Sequence, residues 1–309
     1  MLTAGVAALV LPARARQAGG GDAIQIVVPY GPGGLGDVIA RAVAPHMQEK
    51  LGRSIMVVNR PGANAMIGAD AVAKARPDGH TLLMGYTSEI AINPGFYPTA
   101  TYTSDDLTPI GLAGVSPLLL IGRKALPYAT LRELAADARN RPGGAGSPAH
   151  IAGEALRRRL GAEMTHVPYR GGAAATMDVL AGNVDIFFAG VAPAPPHVRD
   201  GLVHGYAVTG DRRSPVLPEV PTMAEAGFDG FDLSGWLGLL APANTPDAVV
   251  APLAEALQQA LRLPAVRDVL VPQGVDVSAS TPEEFRRFIA AETPKYAELV
   301  RTLGITSDQ

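Results

Sequence analysis

The stretch IQIVVPYGPGGLGDVIARAVAPHMQEKLG, residues 24–52, decides how this chain folds. Residues 24–30 form a short apolar run rich in Ile and Val, the pattern of a buried strand. Residues 37–52 repeat apolar positions at helical spacing, with Asp37 placed to act as the N-cap. Between them lies Gly31-Pro32-Gly33-Gly34-Leu35-Gly36. Glycines let the backbone approach a ligand, and the unpaired N–H groups of a helix start favour an anion. Strand, glycine turn and helix in that order make the opening of a βα unit.

The alternation continues outward. Residues 54–60 and 81–86 read as strands with a helix, 67–76, between them, and 107–114 and 117–123 read as two more strands. Residues 130–140 and 144–160 read as helices, the second entered through another glycine-rich turn, Gly144-Ala145-Gly146-Ser147. Residues 165–172 repeat the strand-to-turn logic, 175–183 are helical, 184–190 and 204–210 are strands, and 246–309 are mainly helical. This is the pattern of an α/β protein whose mostly parallel sheets are flanked by helices. At 309 residues the chain exceeds one ordinary core, so two lobes are expected. The apolar runs at 117–123 and 236–242 are the candidate crossovers. They give lobe one as 22–120 plus 240–309, lobe two as 121–239, and a cleft between them.

Composition narrows the function. Hydrophobic residues make up 47% of the chain and charged ones 18%, which suffices for a packed core. The net charge of −3 lacks the basic excess of a nucleic-acid binder. Cysteine is absent, which removes disulfides, thiolate metal sites and a cysteine nucleophile. The 35 glycines and 27 prolines follow no fixed period and punctuate short elements rather than forming a linker.

Turn 31–36 satisfies GxGxxG after a strand and before a helix, so an NADP-dependent oxidoreductase is the alternative reading. Three details oppose it. Pro32 removes an N–H from the cradle, Pro29 interrupts the strand end, and the second strand ends in Asn59-Arg60 where a ribose-binding carboxylate belongs, although Arg60 would suit a 2′-phosphate. The same turn physics recurs at 144–150 and at Tyr169-Arg170-Gly171-Gly172. Three such turns, divided between two lobes, point to a small anion held by backbone amides from both sides of a cleft.

Catalytic signatures are scarce. The chain has no GxxxxGK[ST], GxSxG or HExxH. His150 and Glu154 stand four apart on a helix, but spacing supplies no further metal ligand, and a capping or supporting role for His150 is the simpler reading. Asp105-Asp106 and Glu283-Glu284 read as acidic helix starts, and Arg157-Arg158-Arg159 as a solvated helix face. Neither a catalytic group, a metal nor a cofactor is expected.

Residues 2–11, LTAGVAALVL, are too short for a bilayer span and match the apolar core of a signal peptide, with Ala13-Arg14-Ala15 as a small-x-small cleavage site. No Lys or Arg precedes the run, which a start codon placed too late would explain. Residues 1–21 are therefore expected to be a signal peptide and flexible N-terminus of an exported, periplasmic protein.

An ordered set of segments resembles one known family. VPYGPGGLGDVIAR (28–41), NRPGANAMIGADAVAKARPDGHTLL (59–83), GSPAHIAGE (146–154), HVPYRGGAAATMDVLAGNVD (166–185), LPEVPTMAEAGF (217–228) and WLGLLAPANTP (236–246) are similar to the substrate-binding proteins of tripartite tricarboxylate transporters, the Bordetella uptake gene type. The resemblance runs from Ile24 to Ile305. It implies a type II-like, two-lobed periplasmic binding fold that closes on a small carboxylate and presents it to the permease subunits of a membrane transporter.

The resemblance also carries site residues. It places Tyr30, Gly33, Gly34 and Asp37 in lobe one and Gly146, Ser147 and His150 in lobe two around the ligand's carboxylates, partly through backbone amides and ordered water. Thr87-Ser88, Tyr169-Arg170-Gly171 and Asp185 match further cleft-lining positions. Leu35-Gly36 stand where relatives usually show a Ser or Thr pair, so Leu35 lines the cleft in place of a hydroxyl. Ala65 stands where a second glycine is common. The expected protein is a monomeric, non-enzymatic solute receptor with a small carboxylate ligand and no nucleic-acid partner.

Overall fold

A computed structural model describes residues 23–136, 147–161, 164–165, 167, 169, 172–191 and 194–305. In chain order it contains β1 (Ile24–Val28), α1 (Leu35–Leu51), β2 (Ile55–Asn59), α2 (Met66–Ala73), β3 (Thr81–Tyr86), a π-helical turn (Ser88–Ile92) and α3 (Asn93–Phe96). There follow β4 (Leu107–Ser116), β5 (Leu118–Arg123), α4 (Leu131–Ala136), α5 (Pro148–Leu160), α6 (Gly172–Ala181), β6 (Ile186–Gly190), α7 (Ala194–Arg199) and β7 (Val203–Val208). The chain closes with β8 (Gly235–Pro242), α8 (Asp247–Arg262), α9 (Pro264–Leu270), β9 (Asp276–Val277) and α10 (Pro282–Leu303).

Two sheets organise these elements. The larger has the order β2-β1-β3-β8-β4-β9 and the smaller β6-β5-β7. Only Pro117 separates β4 in the first sheet from β5 in the second, and the chain returns through β8, whose eight residues are all buried. The α/β, two-lobed expectation holds, but the pairing is more mixed than mostly parallel. β1 pairs in parallel with β2 and β3, whereas β8 runs antiparallel to both β3 and β4, and β5 runs antiparallel to both β6 and β7. The strands that carry the chain between sheets are the ones that reverse direction. A direct crossover has no helix to bring it back to the same end of the sheet, as a parallel connection requires.

The first sheet is covered on both faces. α1 and α8 pack on one side, where α8 turns Val250, Leu253, Ala254, Leu257 and Leu261 inward at helical spacing. α2, the π-helical turn and α10 cover the other side, and that core runs on through Phe231 and Leu233 to Leu120 and Phe188 of the second sheet. α6 covers the far face of the second sheet with Ala175 and Val179. The acidic pairs read as helix starts behave as such. Asp106 accepts the Thr103 N–H at 2.8 Å, and Glu284 accepts the Thr281 N–H at 2.7 Å in a capping box at the head of α10.

Candidate functional site

A cavity of about 470 Å³ opens between the two sheets. Its first wall comes from the turn after β1 (Tyr30, Gly34, Leu35, Gly36), from Tyr86 and Ser88 at the end of β3, and from Leu237 of β8. The opposite wall comes from Ser147 and Pro148 at the start of α5, Gly172 at the start of α6, and Phe187, Phe188 and Gly190 of β6. Three helices therefore turn their N-terminal ends toward one space, where unpaired N–H groups and the helix dipoles favour negative charge. Among the described residues lining it there is no Asp, Glu, Lys, Arg or His. An anion here would be met by backbone N–H groups and hydroxyls rather than by a fixed counter-charge.

The glycine turn is held from behind. α1 begins at Leu35 with Gly34 as its N-cap, so Asp37 is not the cap. Asp37 instead lies in the first helical turn and its carboxylate reaches back to accept the Gly33 N–H at 3.0 Å. Gly33 has φ of +82°, a conformation that side chains rarely adopt, so glycine is required there. Arg41 and Asn59 also donate to Asp37, at 3.0 and 2.9 Å, and Asn59 donates to the Tyr30 carbonyl at 3.1 Å. The Arg41 guanidinium holds the Asp37 carboxyl well below the usual carboxylate range, at about 2. Asp37 thus shapes the turn from behind the wall.

Below Tyr30 lies a buried acid that sequence reasoning missed. Glu89 is fully buried in the π-helical turn, accepts the Tyr30 hydroxyl proton at 2.7 Å through one carboxylate oxygen, and accepts the Tyr86 N–H at 2.7 Å through the other. Burial without a cation pushes its carboxyl up to about 7 and raises the Tyr30 phenol as well. On the second wall the Ser147 hydroxyl caps α5 by accepting the His150 N–H at 3.3 Å. Tyr169 lines the cavity while its hydroxyl donates to Asp178 at 2.5 Å, so the ring rather than the O–H proton is presented.

The structure brings Tyr30, Gly34, Leu35, Ser88, Ser147 and Tyr169 of the expected residues to the cavity wall. Asp37, Thr87 and His150 are buried outside the lining, and Gly33 is exposed on the turn: Thr87 bonds the Trp236 backbone, and His150 is buried in the first turn of α5. Asp185 is not brought there. It forms an ion pair with Arg123 at 2.6 Å, at the end of β5 and β6 opposite the Leu118–Gly190 pair that faces the cavity. Gly146, Arg170 and Gly171 lie outside the described residues. Beyond Glu89, sequence reasoning missed Tyr86, Ser116, Phe187 and Phe188. Tyr86 alone had a local signal, as the residue ending a strand directly before Thr87-Ser88.

The geometry weighs against the dinucleotide reading. The strand end where a dinucleotide fold places a ribose-binding acid holds Asn59, which is already bonded to Asp37, and β8 breaks the parallel run beside β3. Glu154 is ion-paired with Arg157 at 2.7 Å, and no cluster suited to a metal occurs among the described residues. A second cavity, about 490 Å³, lies behind β8 near Arg212 and Arg213. Those two arginines pair with Asp276 and Glu225.

Comparison with known proteins agrees with this geometry. The family model described as tripartite tricarboxylate transporter family receptor matches residues 39–305. Protein BugT of Bordetella pertussis is 36% identical over 98% of this chain and 94% of its own length. The solved periplasmic binding protein BugD is 32% identical with a TM-score of 0.80, covering 92% of this chain and 98% of that one. MatC from Rhodopseudomonas palustris with bound malate is 33% identical (TM-score 0.80; 90% and 98% covered), and an R. palustris protein with adipate is 30% identical (TM-score 0.82; 92% and 97% covered). These relatives are solute-binding receptors rather than enzymes, and none supports the oxidoreductase alternative. The chain belongs to the tripartite tricarboxylate transporter receptor family.

Proposed function

We propose that this receptor captures a small carboxylate in the cavity between its two sheets and delivers it to the permease subunits of a tripartite tricarboxylate-type transporter. The observation that carries the reading is the convergence of three helix N-termini on a cavity whose described lining holds no charged side chain. Tyr30, Gly34, Ser88 and Ser147 would meet the carboxylate, with Gly33, Asp37, Thr87 and His150 holding their elements in place. Leu35, Phe187 and Phe188 would pack on the ligand's carbon skeleton. Malate and adipate bound by relatives at 33% and 30% identity support this ligand class.

The receptor would act in the periplasm as a monomer, because a cleft that closes needs free lobes, with residues 1–21 as its export signal. Lobe one then joins the β1–β4 region to everything from β8 onward, and lobe two spans β5 to the end of the loop before β8. This moves the expected boundaries at 120/121 and 239/240 by a few residues, so that each strand stays in one sheet. Ligand binding couples to transport only through a difference in affinity between open and closed states.

A thermal-shift screen tests the reading. The chain, denatured and refolded to strip carried-over ligand, is mixed with malate, adipate, other organic acids and NADP. A ligand at about 100 times its Kd adds about 2.7 kcal/mol of stability. A shift with a carboxylate and none with NADP is expected, and no shift with any organic acid would overturn the proposal.

A further inference from the structure

We propose that Glu89 is a positioning residue that takes up a proton when the carboxylate binds, so that the receptor captures an anion and a proton together. This rests on the carboxylate reading above. The Tyr30 hydroxyl has a single proton to donate. With Glu89 ionised, that proton points 2.7 Å away to the Glu89 carboxylate, and only phenol lone pairs remain for the cavity that Tyr30 lines. A buried negative charge also sits directly behind the wall that is to receive an anion. With Glu89 protonated by a proton from solvent, the carboxyl O–H donates to the Tyr30 oxygen. The phenol proton is then free to donate to a ligand carboxylate.

The surroundings leave Glu89 as the group that responds near neutrality. From β3, Tyr86 supplies an N–H and a phenol, and Tyr102, from the segment after α3, donates to the Glu89 carbonyl at 2.8 Å. On α10, Glu292 is held by Lys295 at 2.8 Å and by the Trp236 ring N–H at 3.1 Å, and Tyr296 donates to the Ser234 carbonyl at 3.1 Å. On α1 and α2, Asp37 and Asp70 are paired with Arg41 and Lys74. No described lysine or arginine reaches Glu89 to hold it ionised. Its carboxyl titrates at about 7, so the free receptor is divided between the two forms at neutral pH.

The test measures the Kd of malate and of adipate by calorimetry at about pH 6 and about pH 8, in wild type and Glu89→Gln. If only the protonated form binds, wild-type Kd rises about tenfold over that interval, whereas Glu89→Gln, which keeps an acceptor for Tyr86 and a donor for Tyr30, stays within about twofold. Repeating the titration in two buffers of different ionisation enthalpy reads net proton uptake, expected in wild type and absent in the variant. If Glu89→Gln does not fold, the infrared band of the protonated carboxyl in wild type decides: it is expected to titrate near neutrality and to persist to higher pH with ligand. Equal pH profiles in the two proteins, or a band that ligand does not move, overturn the proton coupling alone. Failure of every acid to bind at either pH overturns the carboxylate reading and the coupling with it.

Discussion

The Thr87 hydroxyl grips the Trp236 backbone on both sides, accepting its N–H at 2.8 Å and donating to its carbonyl at 3.3 Å across 149 positions of sequence. Thr87 is fully buried, and the contact ties the end of β3 to the start of β8, where the chain re-enters the first sheet. Thr87→Val keeps the volume but leaves the Trp236 N–H unpaired. A buried orphan donor costs about 1–3 kcal/mol, so the urea midpoint should fall by that equivalent without a change of m-value, while ligand affinity in the surviving folded fraction changes little.

Asp37 carries a pH signature. Its carboxyl is held at about 2, below the usual 3.8, by Arg41 and by the Gly33 and Asn59 donors. The stabilisation it contributes is full above the unfolded value and is lost as pH falls toward 2. Asp37→Asn should cost on the order of 1–2 kcal/mol at neutral pH. The gap to wild type should narrow in acid, measured by urea unfolding at a series of pH values.

Ala65 caps α2 with φ of +73°, next to Ala63 at +46° and Asn64 at +50°. A left-handed conformation costs a residue with a Cβ about 1–2 kcal/mol, and a glycine in the unfolded chain gives back about 0.4–1 of that. Ala65→Gly should therefore raise stability by about 1 kcal/mol or less, visible as a small rise in Tm.

Glu89 acts in the opposite sense to Asp37. Its folded-state carboxyl lies at about 7, above the ordinary 4.5, so wild-type stability declines as pH rises from the lower to the higher value. Glu89→Gln should remove that decline and leave the variant more stable than wild type at about pH 8 by on the order of 2 kcal/mol. A variant less stable than wild type across the whole range would mean that the burial of Glu89 costs little.

Asp185 separates the ion-pair role from a ligand role. Its pair with Arg123 is partly exposed and lies away from the cavity. Asp185→Asn should cost about 1 kcal/mol or less and leave the Kd for any bound acid within about twofold, measured by calorimetry.

Where a residue's job depended on neighbours within one turn, the sequence reading was close. Strand 24–30 and helix 37–52 appear as β1 and α1, the glycine turn between them faces the cavity, and Ser147 caps α5. Even there a local ambiguity remained, because an aspartate near a helix start serves equally as N-cap or as a first-turn acceptor. Gly34 took the cap and Asp37 reached back to Gly33. Glu89 gave no local sign, being one acid beside Thr87-Ser88. Its burial comes from β3, α10 and a tyrosine 59 positions away.

The α/β class, the anion-favouring glycine turns and the family resemblance were all legible along the chain, because strand and helix periods and turn chemistry are properties of short segments. It took the folded chain to insert β8 antiparallel between β3 and β4, to turn Asp185 away from the cavity, and to bury a carboxyl beneath Tyr30 with hydrogen-bond donors and no described cation beside it. Those outcomes depend on which distant segments exclude water from one another. Periodicity records that a residue will be buried, not what it will be buried against.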